Sequence, residues 1–337
     1  MRISAVACAV PKNIGHADDY RATFGDEVVE ASIQATGVKQ WRYVSPDVCA
    51  SDMCTAVAGC LLDHVGWRRE SIDLLVYTTT SPDYLIPATG PSIAHRLGLG
   101  ANVFAIDLSV ACTGFTDGLI TAHSLIHTLK CRRGILLSGY TTSRITDRTD
   151  KDSALLIGDA AAATLLEYDE QFDSFVCSTY GCQGSGAKII TQNIGYRHGL
   201  GWDAEPITEK DMALFHNGMG VFGFTYSRVL RALNVLAEQS GWSVENTDFF
   251  LLHQPHRYLL QCLAEKAGIP LEKVPIGLEL YGNTSGASIP MLMTTEVGPT
   301  GLAGDKKLVL LGFGAGLSWS GLCVRTSSPV IMPLLEV

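Results

Sequence analysis

No run in this chain approaches the roughly 18 apolar residues that a membrane span needs. The apolar part of the opening MRISAVACAVPKN is also too short for the hydrophobic region of a secretory signal. A basic excess is missing too. The formal charge is -9, only 18% of the 337 residues are charged, and basic residues are scattered, with the pair Arg68 and Arg69 standing beside Glu70. Nucleic acid and anionic membrane, which both require a basic footprint, are therefore not expected as partners. Paired-cysteine zinc knuckles are absent. There are ten cysteines, but Cys49/Cys54 and Cys177/Cys182 each have four intervening residues, so no metal is expected and the thiols should stay free in a reducing cytoplasm. Nucleotide loops fail as well. GCQGSGAK, beginning at Gly181, has Ala187 where a P-loop needs lysine, and GFGAG at Gly312 has too little chain after it for a helix, a second strand and an acidic ribose ligand.

Apolar residues are plentiful, at 47%, and they are patterned. Strand-like stretches at 3–9, 73–79, 103–108, 134–139 and 160–166 alternate with helical repeats at 51–65, 90–97 and 112–130, which predicts an α/β layout with a largely parallel sheet. The second half repeats this plan. SIDLLVYTT from Ser71 aligns without gaps on NTDFFLLHQ from Asn246, and RRGILLSGY from Arg132 on KKLVLLGFG from Lys306, at nearly the same offset. Two fused halves follow, residues 1–168 and 169–337. Between the copies, residues 181–202 are rich in Gly, Gln, Asn and Thr and read as a surface excursion, and a long helix is expected over 220–239. The alignment places Thr78 opposite His253, each at the carboxyl end of its strand, where open α/β sheets bind ligands.

One cysteine stands apart from the rest. Cys112 falls at the turn between the strand at 103–108 and the helix that follows, flanked by Ala111, Thr113 and Gly114. Small neighbours and the positive end of a helix dipole favour a thiolate there. His253 follows the apolar run 249–252; a metal pair with His256 is discounted because Pro255 breaks the helix such ligands usually share. Asn283, in GNTSG, is by itself ordinary turn chemistry.

Taken together, ACTGFTDGL around Cys112, HQPHRYL from His253 and YGNTSGASIP from Tyr281 resemble the nucleophile, histidine and asparagine segments of the ketoacyl-ACP synthase III family, a branch of the thiolase-like condensing enzymes. GDAAAATLL from Gly158 and GFGAGLSW from Gly312 match it as well. The resemblance implies the five-layer αβαβα thiolase fold, a homodimer without a cofactor, and a catalytic trio of Cys112, His253 and Asn283. It further implies an oxyanion hole from the backbone N–H groups of Cys112 and Ala315. The expected reaction loads an acyl group from a thioester onto Cys112 and condenses it with a malonyl thioester as CO2 is lost. Two alternatives stay open: acyl transfer to an alcohol or amine without decarboxylation, and a non-catalytic partner subunit.

Substrate contacts are expected from Ile86, Phe115, Lys151, His256 and Arg257; Leu85 and Ile86 also belong to an apolar loop, Tyr84 to Pro87, which the resemblance implies reaches the acyl pocket of a second subunit. Departures from the family lie at the mouth. His256 stands where typical members have Asn, Tyr258 where they have Arg, and the Trp and Arg that precede the turn at Gly37 are replaced by residues such as Ala35. An acyl carrier protein is therefore expected to serve better than coenzyme A as donor.

Overall fold

The structure is a computed structural model that describes residues 1–195 and 206–337. Two sheets organise it. The first contains β1 (Arg2–Val10), β2 (Leu74–Thr79), β3 (Phe104–Ser109), β4 (Arg133–Tyr140) and β5 (Ala160–Glu167), in the order β1-β5-β4-β2-β3. The second contains β6 (Phe175–Cys182), β7 (Phe249–Leu252), β8 (Asp305–Gly314) and β9 (Ser318–Ser327), in the order β6-β9-β8-β7.

One pairing scheme is used twice. β2 is parallel to β4, and β5 runs antiparallel to both β4 and β1. Likewise β7 is parallel to β8, and β9 runs antiparallel to both β8 and β6. The register repeats as well, with Leu74 opposite Gly134 and Phe249 opposite Leu308. Even a strand-start contact recurs: the Asp73 carboxylate accepts from Arg133 N–H at 3.2 Å, and that of Asp248 from Lys307 N–H at 2.8 Å.

Both sheets are thus mixed, where strand-helix alternation predicted a largely parallel one. Only residues 315–317 join β8 to β9, and so short a link permits an antiparallel return but no crossover. The C-terminal tail adds to the first sheet: Val330–Ile331 and Leu335–Glu336 pair parallel with β1.

Helices fill three layers around the sheets. α1 (Asp26–Thr36), α2 (Ala50–Val65), α3 (Gly90–Arg96), α4 (Gly114–Leu129), α5 (Gly218–Ser240) and α6 (Arg257–Ala267) carry most of the helical residues. Strand alternation sorts the core. On the first sheet Leu74, Val76 and Leu136 face Phe115, Leu119 and Ile126 of α4, while Leu75, Tyr77, Ile135 and Leu137 face Met53, Val57 and Leu61 of α2. On the second, Leu308 and Leu310 turn to α4, and Val309 and Leu311 to α5 and α6. α4 is therefore covered on both sides, at about 1.5–3 kcal/mol for each large side chain removed from water. Five layers result, as expected.

The excursion at 181–202 does more than run along the surface. Ile190–Gln192 pairs antiparallel with Leu214–His216 in a small ribbon, and Gly186 packs on Leu317. Its part from residue 196 lies outside the described residues.

Candidate active site

Cys112 lies in the turn that carries the chain from β3 into α4. Gly114 N–H bonds Ala111 C=O at 2.9 Å, Tyr140 Oη donates to Val110 C=O at 2.9 Å, and Thr113 is the N-cap, so the helix begins two residues later than the sequence indicated. The end of β8 presses on this turn. A Cβ at Gly314 would stand 2.6 Å from Cys112 Sγ, and one at Gly312 2.7 Å from Thr113 Cα, so neither position tolerates a side chain. The backbone N–H of Ala315, the Ser285 hydroxyl and the Cys112 N–H all stabilise the sulfur as an anion, but burial outweighs them and pushes the thiol pKa up. The resting form is then the thiol. A helix end alone suggested a ready thiolate; it did not weigh the desolvation of a sulfur enclosed between two sheets.

His253 follows β7 directly and is almost completely buried. Its backbone N–H donates to Leu311 C=O at 2.9 Å, Nδ1 lies 2.9 Å from Ser288 Oγ, and the ring meets Phe313 edge-on at 5.4 Å. Burial pushes its pKa down to about 3, despite the Ser285 carbonyl facing the ring. The imidazole is neutral. Asn283 is held by the first half of the chain: its N–H donates to Leu156 C=O at 2.8 Å, and its C=O accepts from Gly158 N–H at 3.1 Å. Its Oδ1 accepts from Ser285 N–H at 2.9 Å, which leaves the Nδ2 amide hydrogens as donors.

These three residues line one cavity of about 340 Å³. Its remaining wall is mostly apolar, from Ile145, Leu156, Ile157, Leu214 and Val221, with Thr80, Gln192, His216 and His256 among the polar groups. None of the described lining residues is Asp, Glu, Lys or Arg. Ile157 also borders a neighbouring groove of about 260 Å³ beneath Trp41, Tyr43 and Arg148. A larger hollow of about 650 Å³ lies at Asp73, Arg133 and Glu167, at the opposite ends of the strands and away from this chemistry.

The outer expectations fare differently. Phe115, expected as a wall residue, is 1% exposed and packs among Leu119, Leu308 and Leu310, because the first turn of α4 points it into the layer between the sheets. Ile86 is 82% exposed and, with Leu85, lies outside the cavity of its own chain. Lys151 is exposed, pairs with Asp152 at 3.3 Å and does not reach the cavity. His256 does line it, while its Nδ1 caps α6 by accepting from Leu259 N–H at 3.2 Å. Arg257 covers Gly37, donating to its carbonyl at 3.2 Å. Sequence reasoning missed Ser285, Ser288 and Phe313, which position the sulfur and the imidazole, and it missed the ribbon residues of the wall. Ser285 had a signal, being part of GNTSG; the ribbon had only the pair Ile189-Ile190.

These shifts set a pH dependence. Alkylation of Cys112 should keep accelerating as pH rises past about 8.5, the ordinary thiol value, because the thiolate fraction grows only as the raised folded pKa is approached. Steps that depend on His253 should show no inflection near about 6.5, where an exposed histidine titrates. An alkylation series that levels off below pH 8.5 would contradict the burial of the sulfur.

A buried thiol, a neutral imidazole and an amide donor, gathered between two sheets of repeated topology, fit a thiolase-type acyl-transferring enzyme. The comparisons agree. Residues 106–184 match the family model of 3-oxoacyl-[acyl-carrier-protein] synthase III, and residues 237–326 that of its C-terminal part. The chain is 34% identical to beta-ketoacyl-[acyl-carrier-protein] synthase III of Streptococcus equi subsp. equi, over 96% of this chain and 98% of that protein. In structure it resembles a 3-oxoacyl-(acyl-carrier protein) synthase of Burkholderia xenovorans, with a TM-score of 0.92 and 31% identity over 100% and 97% of the two chains. It also resembles the priming beta-ketosynthase of a polyketide pathway, with a TM-score of 0.87 and 25% identity over 97% and 96%. The chain belongs to the 3-oxoacyl-ACP synthase III family.

Proposed function

We propose that the protein is a cytosolic condensing enzyme that primes fatty-acid or polyketide-type chains. The donor carbonyl accepts Cys112 Sγ, its oxygen taking hydrogen bonds from the N–H groups of Cys112 and Ala315. The S–C bond to the donor breaks, and the departing thiol carries away the proton of Cys112. A malonyl thioester then enters with its carbonyl between His253 and Asn283. Its C–CO2 bond breaks, the electron pair is held as an enolate by the two donors, and the carbanion attacks the acyl-Cys112 carbonyl, releasing the sulfur as a thiolate that takes up a proton from water to restore the thiol. The observation that carries this reading is a neutral, buried His253 beside the free amide hydrogens of Asn283 in the cavity of Cys112: two donors without charge suit an enolate oxygen. With no Lys or Arg among the described lining residues, the malonyl carboxylate is left without a counter-ion, which favours its loss as CO2. The test is to supply an acyl thioester and a malonyl thioester together; CO2 and a 3-oxoacyl product support the proposal, and acyl-Cys112 without either refutes it.

In this reading the chain divides after residue 168, one half contributing Cys112 and the other His253 and Asn283. The protein works as a homodimer. β3 is the open edge of the first sheet, with Phe104 exposed, and the loop bearing Tyr84, Leu85 and Ile86 projects bare apolar side chains. Sedimentation at micromolar concentration should give twice the chain mass; a monomer there would count against the assignment.

The donor is a carrier protein. Ala35 and Tyr258 are exposed, so neither supplies the charge that a nucleotide phosphate requires, whereas exposed Lys151, held only by a weak surface pair with neighbouring Asp152, can exchange that pair for an acidic carrier helix. Loading from acyl-carrier protein should exceed that from the matching acyl-CoA by on the order of 10²-fold at low substrate, given about 1 kcal/mol or more for each missing charged contact. Ala35→Arg with Tyr258→Arg should narrow the gap. Equal kinetics with both donors in the unaltered protein would show these positions to be irrelevant.

A further inference from the structure

A second cluster of ligand-type side chains lies at the far end of α4 from Cys112. His123 and His127, one helical turn apart, share a face of the helix. Their Nε2 atoms stand 3.2 and 3.9 Å from one oxygen, Asp173 Oδ2, and the three donor groups lie within 4.8 Å of one another. Two ligand atoms on one tetrahedral zinc-type ion, each at about 2.0–2.2 Å, are themselves about 3.3–3.5 Å apart, so small side-chain rotations would close the set.

The cluster is also built to hold its donors in place. Asp173 Oδ1 accepts from Phe175 N–H at 2.9 Å and from the Met1 amino group at 3.1 Å, which turns Oδ2 toward the imidazoles. His123 stacks on Phe175 at 4.3 Å, and His127 meets Tyr168 edge-on at 5.5 Å. All three ligand groups keep contact with solvent, so an ion can enter and water can complete its coordination. Two imidazoles with one carboxylate suit zinc, cobalt or nickel rather than magnesium or calcium, which prefer oxygen alone.

We propose that His123, His127 and Asp173 form a binding site for a divalent ion of the zinc class. None of the three lines the catalytic cavity. The ion would tie the central helix to the segment between β5 and β6, where the chain passes from one sheet to the other. Its role is that of a cross-link, separate from the acyl chemistry.

The test titrates Co2+ into the full native chain after treatment with iodoacetamide, because accessible cysteines would otherwise compete. One ion per chain is expected, with a visible cobalt spectrum free of sulfur charge-transfer absorption and displacement by Zn2+. His127→Gln and Asp173→Asn should each weaken binding by about tenfold or more, and His123→Gln with His127→Gln should abolish it. Loading of Cys112, measured on protein not treated with iodoacetamide, should be equal in the His127→Gln and unaltered chains, which shows that the variant is folded. Saturable binding that survives in the double variant, or none at millimolar Co2+, overturns the proposal.

Discussion

Cys112→Ala protein should take up no acyl group from any thioester donor, where the unaltered chain gains one acyl mass. The other nine thiols offer no substitute. Cys8, Cys54, Cys131 and Cys323 are buried, and burial drives the thiol of Cys8 up to about 12. Cys49 is raised by burial and by the nearby charge of Asp83. Cys60 and Cys182 are exposed and Cys177 and Cys262 half-buried, but all four stand away from the cavity that gathers the Ala315 and Cys112 N–H groups. A thioester carbonyl attacked elsewhere would find no preorganised donors for its oxyanion, an absence that for even one donor typically costs about 10²–10³-fold. Alanine removes one atom and leaves the small space beside Gly314 to close, so the fold should persist. Intact-protein mass spectrometry decides the matter: stoichiometric labelling that persists in the variant would place the nucleophile at another cysteine.

His253→Ala and Asn283→Ala should each retain loading of Cys112 while CO2 release from a malonyl thioester falls by about 10²-fold or more, since each deletes a donor to a developing enolate. Retained loading also shows that each variant is folded. The imidazole is neutral, so its part is donation and not charge, and His253→Asn should recover some of the lost rate by returning an amide N–H. Ser288→Ala offers a finer probe of positioning. It should lower decarboxylation less than His253→Ala and leave loading unchanged, because it frees the ring without removing it. Normal decarboxylation without both His253 and Asn283 would reject condensation and favour simple acyl transfer to an alcohol or amine.

Much of this was legible in the chain before any coordinates. The strands and helices that were expected lie within two residues of their bounds, as for 160–166 against Ala160–Glu167, because central strands such as β2, β4 and β5 are buried on both faces and their apolar runs end where burial ends, whereas α1 and α6 were not expected. The repeat between Ser71 and Asn246 showed as matching sequence because both copies must supply the same register, down to Asp73 and Asp248 at equivalent strand starts. Cys112, His253 and Asn283 stood in motifs whose chemistry survives translation into geometry: Cys112 and His253 each sit just beyond a strand that aims it, and Asn283 is held by Leu156 and Gly158 of the other half.

Tertiary structure alone decided the rest, and the reason is that direction, enclosure and solvation are properties of assembled layers. Strand polarity in the first sheet depends on how β5 returns beside β4 and β1, which alternation of residues does not encode. Phe115 looked like a pocket wall from its closeness to Cys112, but the turn of α4 sends it into the packed middle layer while the ribbon at Ile190–Gln192, distant in sequence, closes the cavity. The cysteine was recognisable from its neighbours, whereas its protonation was not: the dipole of a helix is local, and the burial that overrides it comes from a second sheet, contributed by residues some two hundred positions further along the chain.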